Sequence, residues 1–72
     1  MPKYWSYDIN DEVEVNSNAK YGMPSYVGLK GIIIDRINSW QYDYDVLHFT
    51  NGEVGRYKES ELNLIHKASD TY

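Results

Sequence analysis

Seventy-two residues with seven basic and eleven acidic side chains, no cysteine and 15% aromatic content describe one small acidic domain. A chain of this length buries only about 60–65% of its unfolded surface, and here it does so without disulfides, thiolate metal sites or a catalytic thiol. The net charge of −4 excludes the balance of a general duplex binder, whose affinity rests on neutralising phosphates, but leaves room for a local basic patch.

The N-terminus, Met-Pro-Lys-Tyr-Trp-Ser, has no apolar run, so neither a signal peptide nor a membrane span is expected and the cytoplasm is the default location. Residues 1–6 and 67–72 are polar and aperiodic and read as loose ends around a domain at 7–66. Tyr4, Trp5 and Tyr7 stand out there, because so many rings in water need a surface to pack on.

Ile9-Asn10-Asp11 reads as a turn, with Asn10 among the few non-glycine residues that tolerate positive φ. Asp11 to Val15 alternates as a half-buried strand does, with Val13 and Val15 inward and Glu12 and Glu14 outward. Asn16 to Tyr26 is a long loop carrying Tyr21, Met23 and Tyr26, and long loops inside small domains are more often functional than accidental.

Leu29 to Ile37 is the second predicted strand. Its three consecutive isoleucines fit a strand that is buried on both faces or sharply coiled, and Gly28 and Gly31 suit a tight turn and a close backbone approach. Asn38 to Gln41 is a turn presenting Trp40, and Tyr42 to Phe49 is the third strand.

Asn51-Gly52 between apolar runs predicts a two-residue type I′ hairpin. Such a turn sets Phe49 against Val54, Leu47 against Arg56 and Val46 against Tyr57. One face of the hairpin then carries Leu47, Phe49 and Val54, and the other Val46, His48, Gly55 and Tyr57; the more apolar first set is the expected core face. Lys58 to Glu61 reads as a single 3-10 turn before a closing strand, Leu62 to Ile65.

Over Tyr7 to Ile65 this layout resembles the SH3-like barrel superfamily. The turn followed by Asp-x-Val-x-Val is matched by Ile9 to Val15, with Asn10 where glycine is usual. The resemblance implies an all-β, five-stranded SH3-like barrel with one short 3-10 turn before the last strand. The Gly28-Leu-Lys-Gly31 stretch is similar to KOW modules, which bind RNA or protein. The whole is similar to the small accessory barrel of photosystem I, a docking protein. Signalling SH3 domains line their polyproline groove with an adjacent tryptophan pair, which this chain lacks. In the plasmid-type dihydrofolate reductases, tetramers of such barrels, the catalytic strand falls where Val54-Gly55-Arg56-Tyr57 stands here; glycine replaces the ligand-contacting glutamine, so that activity is not expected.

Chemistry-bearing residues are sparse. His48 and His66 are the two imidazoles and have no cysteine to complete a metal set, so structural roles and no cofactor are expected. Asp43 and Asp45 lie about 7 Å apart on one strand face, where a solvated pair is the ordinary outcome.

The aromatic surplus carries the functional reading. Tyr21, Tyr26, Trp40, Tyr42, Tyr44 and Tyr57, with Asp43 and Asp45 beside them, are the expected lining of an aromatic-acidic groove that docks a protein partner, preferably a cationic segment. Packing of half these rings on the thin core is the competing reading. The alternative function is nucleic-acid binding through a patch of Lys20, Lys30, Arg36, Arg56 and Lys58. A composition rich in Tyr, Asn, Ile and Asp suits an accessory protein of a low-GC bacterium or its phage.

Overall fold

The structure, a computed structural model, describes residues 3–19 and 26–68. Five strands form one antiparallel sheet: β1 Glu12–Val15, β2 Lys30–Arg36, β3 Tyr44–His48, β4 Val54–Tyr57 and β5 Leu62–His66. A 3-10 turn, Glu59–Glu61, joins β4 to β5. The strand order is β4-β3-β2-β1-β5, so β4 and β5 are edges, and among the described residues no hydrogen-bonded ladder closes the sheet into a barrel.

Local chemistry sets the strand boundaries. Asn10 adopts φ 78° and Gly28 φ 90°, turning the chain into β1 and β2 respectively. Gly31 is required on different grounds: a Cβ there would overlap the Leu47 carbonyl oxygen of β3 and approach Val46 Cγ1 at 2.8 Å. The three isoleucines are separated by a β-bulge, because Ile33 pairs with Val46 and Asp35 with Asp45, leaving Ile34 without a partner. Ile33 is thus fully buried, Ile32 half-buried and Ile34 exposed.

The hairpin differs from its expected form. The His48 amide donates to Glu53 O at 2.9 Å and the Gly52 amide to His48 O at 3.0 Å, which makes Phe49 to Gly52 a four-residue loop. Gly52 has φ 70°, whereas Asn51 keeps a negative φ and accepts the Glu53 amide on its side-chain oxygen at 2.9 Å. A type I′ turn needs positive φ at both central residues; this asparagine forms an Asx turn instead. The ladder therefore sets Leu47 against Val54, Val46 against Gly55 and Tyr44 against Tyr57. The shift is two residues, so the membership of each face survives.

The choice of face does not. Tyr44, Val46, His48 and Tyr57 point into the core, while Phe49 and Val54 are each 53% exposed and Leu47 is 38% exposed. Burying the less apolar set is tolerable because its polar atoms satisfy one another, and no buried side-chain nitrogen or oxygen among the described residues lacks a partner. The core comprises Val13, Val15, Ile33, Tyr44, Val46, Tyr57 and Leu62, with Trp5, Tyr7, Ile9 and Ala19 packed at its margin.

Within residues 3–6, expected to be loose, Lys3, Trp5 and Ser6 are bonded to the β2–β3 loop and the 3-10 turn, while Tyr4 is exposed. Trp5 Nε1 donates to Ile37 O at 3.2 Å and the Tyr7 amide to the Tyr44 hydroxyl at 3.0 Å, and the Tyr7 ring stacks on that of Tyr44. Lys67 and Ala68 are likewise held by Asp11, a fully buried carboxylate that accepts the Asp8 and Ala68 amides at 2.8 Å each and the Lys67 ammonium at 3.0 Å. Burial by itself raises the Asp11 carboxyl, but these donors outweigh it and hold the group below the usual carboxylate range.

Candidate functional site

The β2–β3 connection, residues 37–43, is braced along its length. Lys3 donates to the Ser39 and Tyr42 carbonyl oxygens and pairs with the Asp43 carboxylate at 2.6 Å. The other Asp43 oxygen accepts the Glu59 amide at 2.7 Å, anchoring the loop to the 3-10 turn. At the N-terminal side of the loop, Trp5 holds Ile37 O and the Arg36 guanidinium lies 5.5 Å over the Trp5 ring. Held at both ends, the loop thrusts Trp40 into solvent at 86% exposure. Beside it opens a shallow pocket of about 230 Å³ lined by Trp40, Gln41, Tyr42 and Lys58.

The electrostatics of this pocket differ from the expected groove. Asp43 is neutralised by Lys3, and Asp45 by Arg56 at 3.2 Å. The charged lining residue is Lys58, a cation with no ion pair among the described residues. An aromatic shelf with an ammonium beside it favours an anionic neighbour for whatever apolar group enters.

Tyr44 and Tyr57 are core residues with no surface to offer. The Tyr44 hydroxyl donates to Glu59 Oε1 at 2.7 Å, and Glu59 also accepts the Ser6 amide. Burial, followed by this bond to an anion, raises the Tyr44 phenol well above its ordinary range. Tyr57 lies against His48, whose Nδ1 is 2.8 Å from Glu53 O and whose Nε2 is 2.8 Å from the Tyr57 hydroxyl. A carbonyl only accepts, so Nδ1 carries the proton and Tyr57 donates to Nε2. Desolvation pushes the Tyr57 phenol up to about 12. Gly55 makes room for these rings: a Cβ there would meet the Tyr57 ring at 2.8 Å and His48 Cε1 at 2.9 Å.

Tyr26 covers the outside of this cluster. Its ring stacks on His48 with centroids 5.1 Å apart and its hydroxyl donates to Glu53 Oε1 at 3.1 Å. With both imidazole nitrogens engaged and the ring 1% exposed, the cluster fixes the hairpin and offers no reactive atom to a substrate.

Of the eight groove residues expected from sequence, Trp40 and Tyr42 are brought together at the pocket, and Asp43 lies behind it. Tyr26 sits on His48, Asp45 on the opposite sheet face, and Tyr21 falls outside the described residues, as does Lys20 of the basic set. Lys30 and Arg36 stand at opposite ends of β2, about 20 Å apart by strand geometry, Arg56 is paired with Asp45, and Lys58 is at the pocket. The described basic residues therefore do not gather into one patch. Sequence reasoning flagged Trp5 as a ring in need of a surface and missed the braces Lys3 and Glu59. Among the described residues no cluster of three or more His, Cys, Asp or Glu is placed to hold a metal ion, and no helix is long and apolar enough to cross a membrane.

An open five-stranded sheet with a braced loop displaying a tryptophan defines a small all-β module with an aromatic surface pocket beside that loop. The chain belongs to the YorP protein family, whose profile matches residues 1–70. It is 52% identical over 65 residues to the SPbeta prophage-derived protein YorP of Bacillus subtilis (strain 168), spanning 90% of each chain. It is also similar to the NMR structure of Bacillus subtilis YorP, with a TM-score of 0.79 and 43% identity, over 100% of this chain and 84% of that one.

Proposed function

We propose that this protein is a non-catalytic docking module, SH3-like in strand order, which binds a protein partner through the pocket at Trp40. The observation that carries this reading is an 86%-exposed tryptophan on a loop immobilised by Lys3, Trp5 and Asp43. Exposure of a large ring costs hydrophobic free energy, and rigid aromatic anchors lose little entropy on binding. The matching partner segment presents an apolar or aromatic side chain beside a carboxylate, which Lys58 receives. This reverses the sign of partner charge expected from the Asp43 and Asp45 pair. A small accessory role in the cytoplasm of a phage-bearing bacterium suits such a module, in keeping with the prophage origin of the Bacillus relative.

The test is capture from host extract on immobilised protein, comparing wild type with Trp40→Ala and Lys58→Glu. Both variants are expected to lose the same captured protein while changing folding stability by less than about 0.5 kcal/mol, as exposed substitutions do. Identical capture by wild type and Trp40→Ala overturns the reading. Capture abolished by nuclease overturns it in favour of a nucleic-acid partner.

A further inference from the structure

The outer face of β2, β3 and β4 carries a second surface, independent of the Trp40 pocket. The register places Val54, Leu47 and Ile32 in one row across the three strands. Val54 and Leu47 are exposed, and Ile32 is half-buried. The adjacent row, in the same strand order, is Arg56, Asp45 and Asp35.

That charged row is unbalanced within one chain. Arg56 contacts Asp45 through Nε at 3.2 Å, and no other described residue forms an ion pair with it. Asp35 stands directly opposite Asp45, accepts its neighbour's amide from Arg36 at 2.9 Å, and has no cation among the described residues. Like charges opposite each other across a strand pair repel, so the Asp35 end of the row calls for a positive charge that the monomer does not supply.

We propose that a second copy of this chain covers this face, in a two-fold dimer whose axis runs along β3 through Leu47. Such an axis exchanges β2 and β4. Val54 of one copy then meets Ile32 of the other, the two Leu47 side chains meet at the axis, and the free end of Arg56 reaches Asp35 of the second copy. The Asp45 carboxylates near the axis are each already held by Arg56. An isologous interface demands a patch complementary to itself, and this one has a half-used cation one strand to one side of Leu47 and an unpaired anion one strand to the other. The patch spans three strands, about 10 Å, which is narrow beside the ~800 Å² per partner of stable interfaces. The dimer is therefore weak, with a dissociation constant on the order of 100 μM.

Sedimentation equilibrium of the full chain from about 10 μM to about 1 mM brackets that constant. The apparent mass should climb from the 8.5 kDa monomer towards twice that value. Leu47→Asp should stay monomeric throughout, and Asp35→Lys should weaken association about tenfold by facing the second copy's Arg56 with a like charge. The double exchange Asp35→Arg with Arg56→Asp should restore it, since the introduced arginine also lies opposite Asp45 within its own chain. Trp40→Ala should dimerise as wild type does, which separates this surface from the docking pocket. Circular dichroism of each variant checks that it is folded. Monomeric mass across the whole range, or wild-type association by folded Leu47→Asp, overturns the proposal; failure of the double exchange overturns the two-fold register.

Discussion

The two faces of the β3–β4 ribbon invert the usual division of labour. The inner face holds two tyrosines, a histidine, a glycine and one valine; the outer face holds leucine and valine flanked by an arginine–aspartate pair. The inner set is buried because its polar atoms form a closed circuit: Glu53 O to His48 Nδ1, His48 Nε2 to the Tyr57 hydroxyl. The outer set stays exposed because Leu47 and Val54 share their face with Asp45 and Arg56, whose desolvation would cost more than two aliphatic side chains return. Partner availability decides which face of a two-sided apolar strand goes inward, and hydrophobicity alone does not.

The sharpest way to break the inner face is to deny its strands their close approach. In Gly31→Ala the new methyl group would overlap the Leu47 carbonyl oxygen, a backbone atom that cannot swing aside, as well as approach Val46 Cγ1. A loss of about 3 kcal/mol is expected, a large part of the stability available to a domain this small. Urea denaturation of wild type and variant measures it; a loss below about 1 kcal/mol would mean that β2 and β3 are free to separate locally.

A subtler substitution tests the circuit itself. Tyr57→Phe keeps the ring that Gly55 accommodates and removes the hydroxyl, leaving His48 Nε2 buried without its donor. An unsatisfied buried acceptor costs about 2 kcal/mol, so the midpoint should fall with an unchanged slope. Stability equal to wild type would show that the hydroxyl contributes packing alone and that the inner face is held by shape.

These energetics explain which features were legible in the sequence. The alternation of Asp11 to Val15, the positive φ of Asn10, the glycine turn before β2 and the 3-10 turn before β5 all follow from local chemistry, and local chemistry is what a sequence displays. Asn51-Gly52 marked a hairpin correctly. Its loop length depended on whether the asparagine backbone or side chain would make the turn, and the side chain did. The face choice failed because apolar counting weighed Leu47, Phe49 and Val54 above a histidine whose partners, Glu53 O and Tyr57, become adjacent only after the ribbon forms. Gly55 was the readable clue, since a glycine in mid-strand marks a neighbour needing space. Of the candidate site, Trp40 and Tyr42 were legible as surplus rings in a turn. Lys3 was not, because its three acceptors lie 36 to 40 residues away along the chain, at Ser39, Tyr42 and Asp43.

The smallest expected effect lies on the outer face and sharpens the contrast most. Leu47→Thr exchanges a core-type residue for a β-branched polar one at a position adjacent in sequence to two fully buried residues, Val46 and His48. Counting hydrophobic residues along β3 would assign it a core-sized loss. The side chain is already 38% exposed, threonine suits a strand, and its hydroxyl meets water. Stability should change by no more than about 0.5 kcal/mol. The measurement belongs at about 5 μM, well below the expected dimer constant, so that it reports the folded monomer. A loss above about 1.5 kcal/mol would mean that Leu47 is packed as core and that the two faces are not distinct.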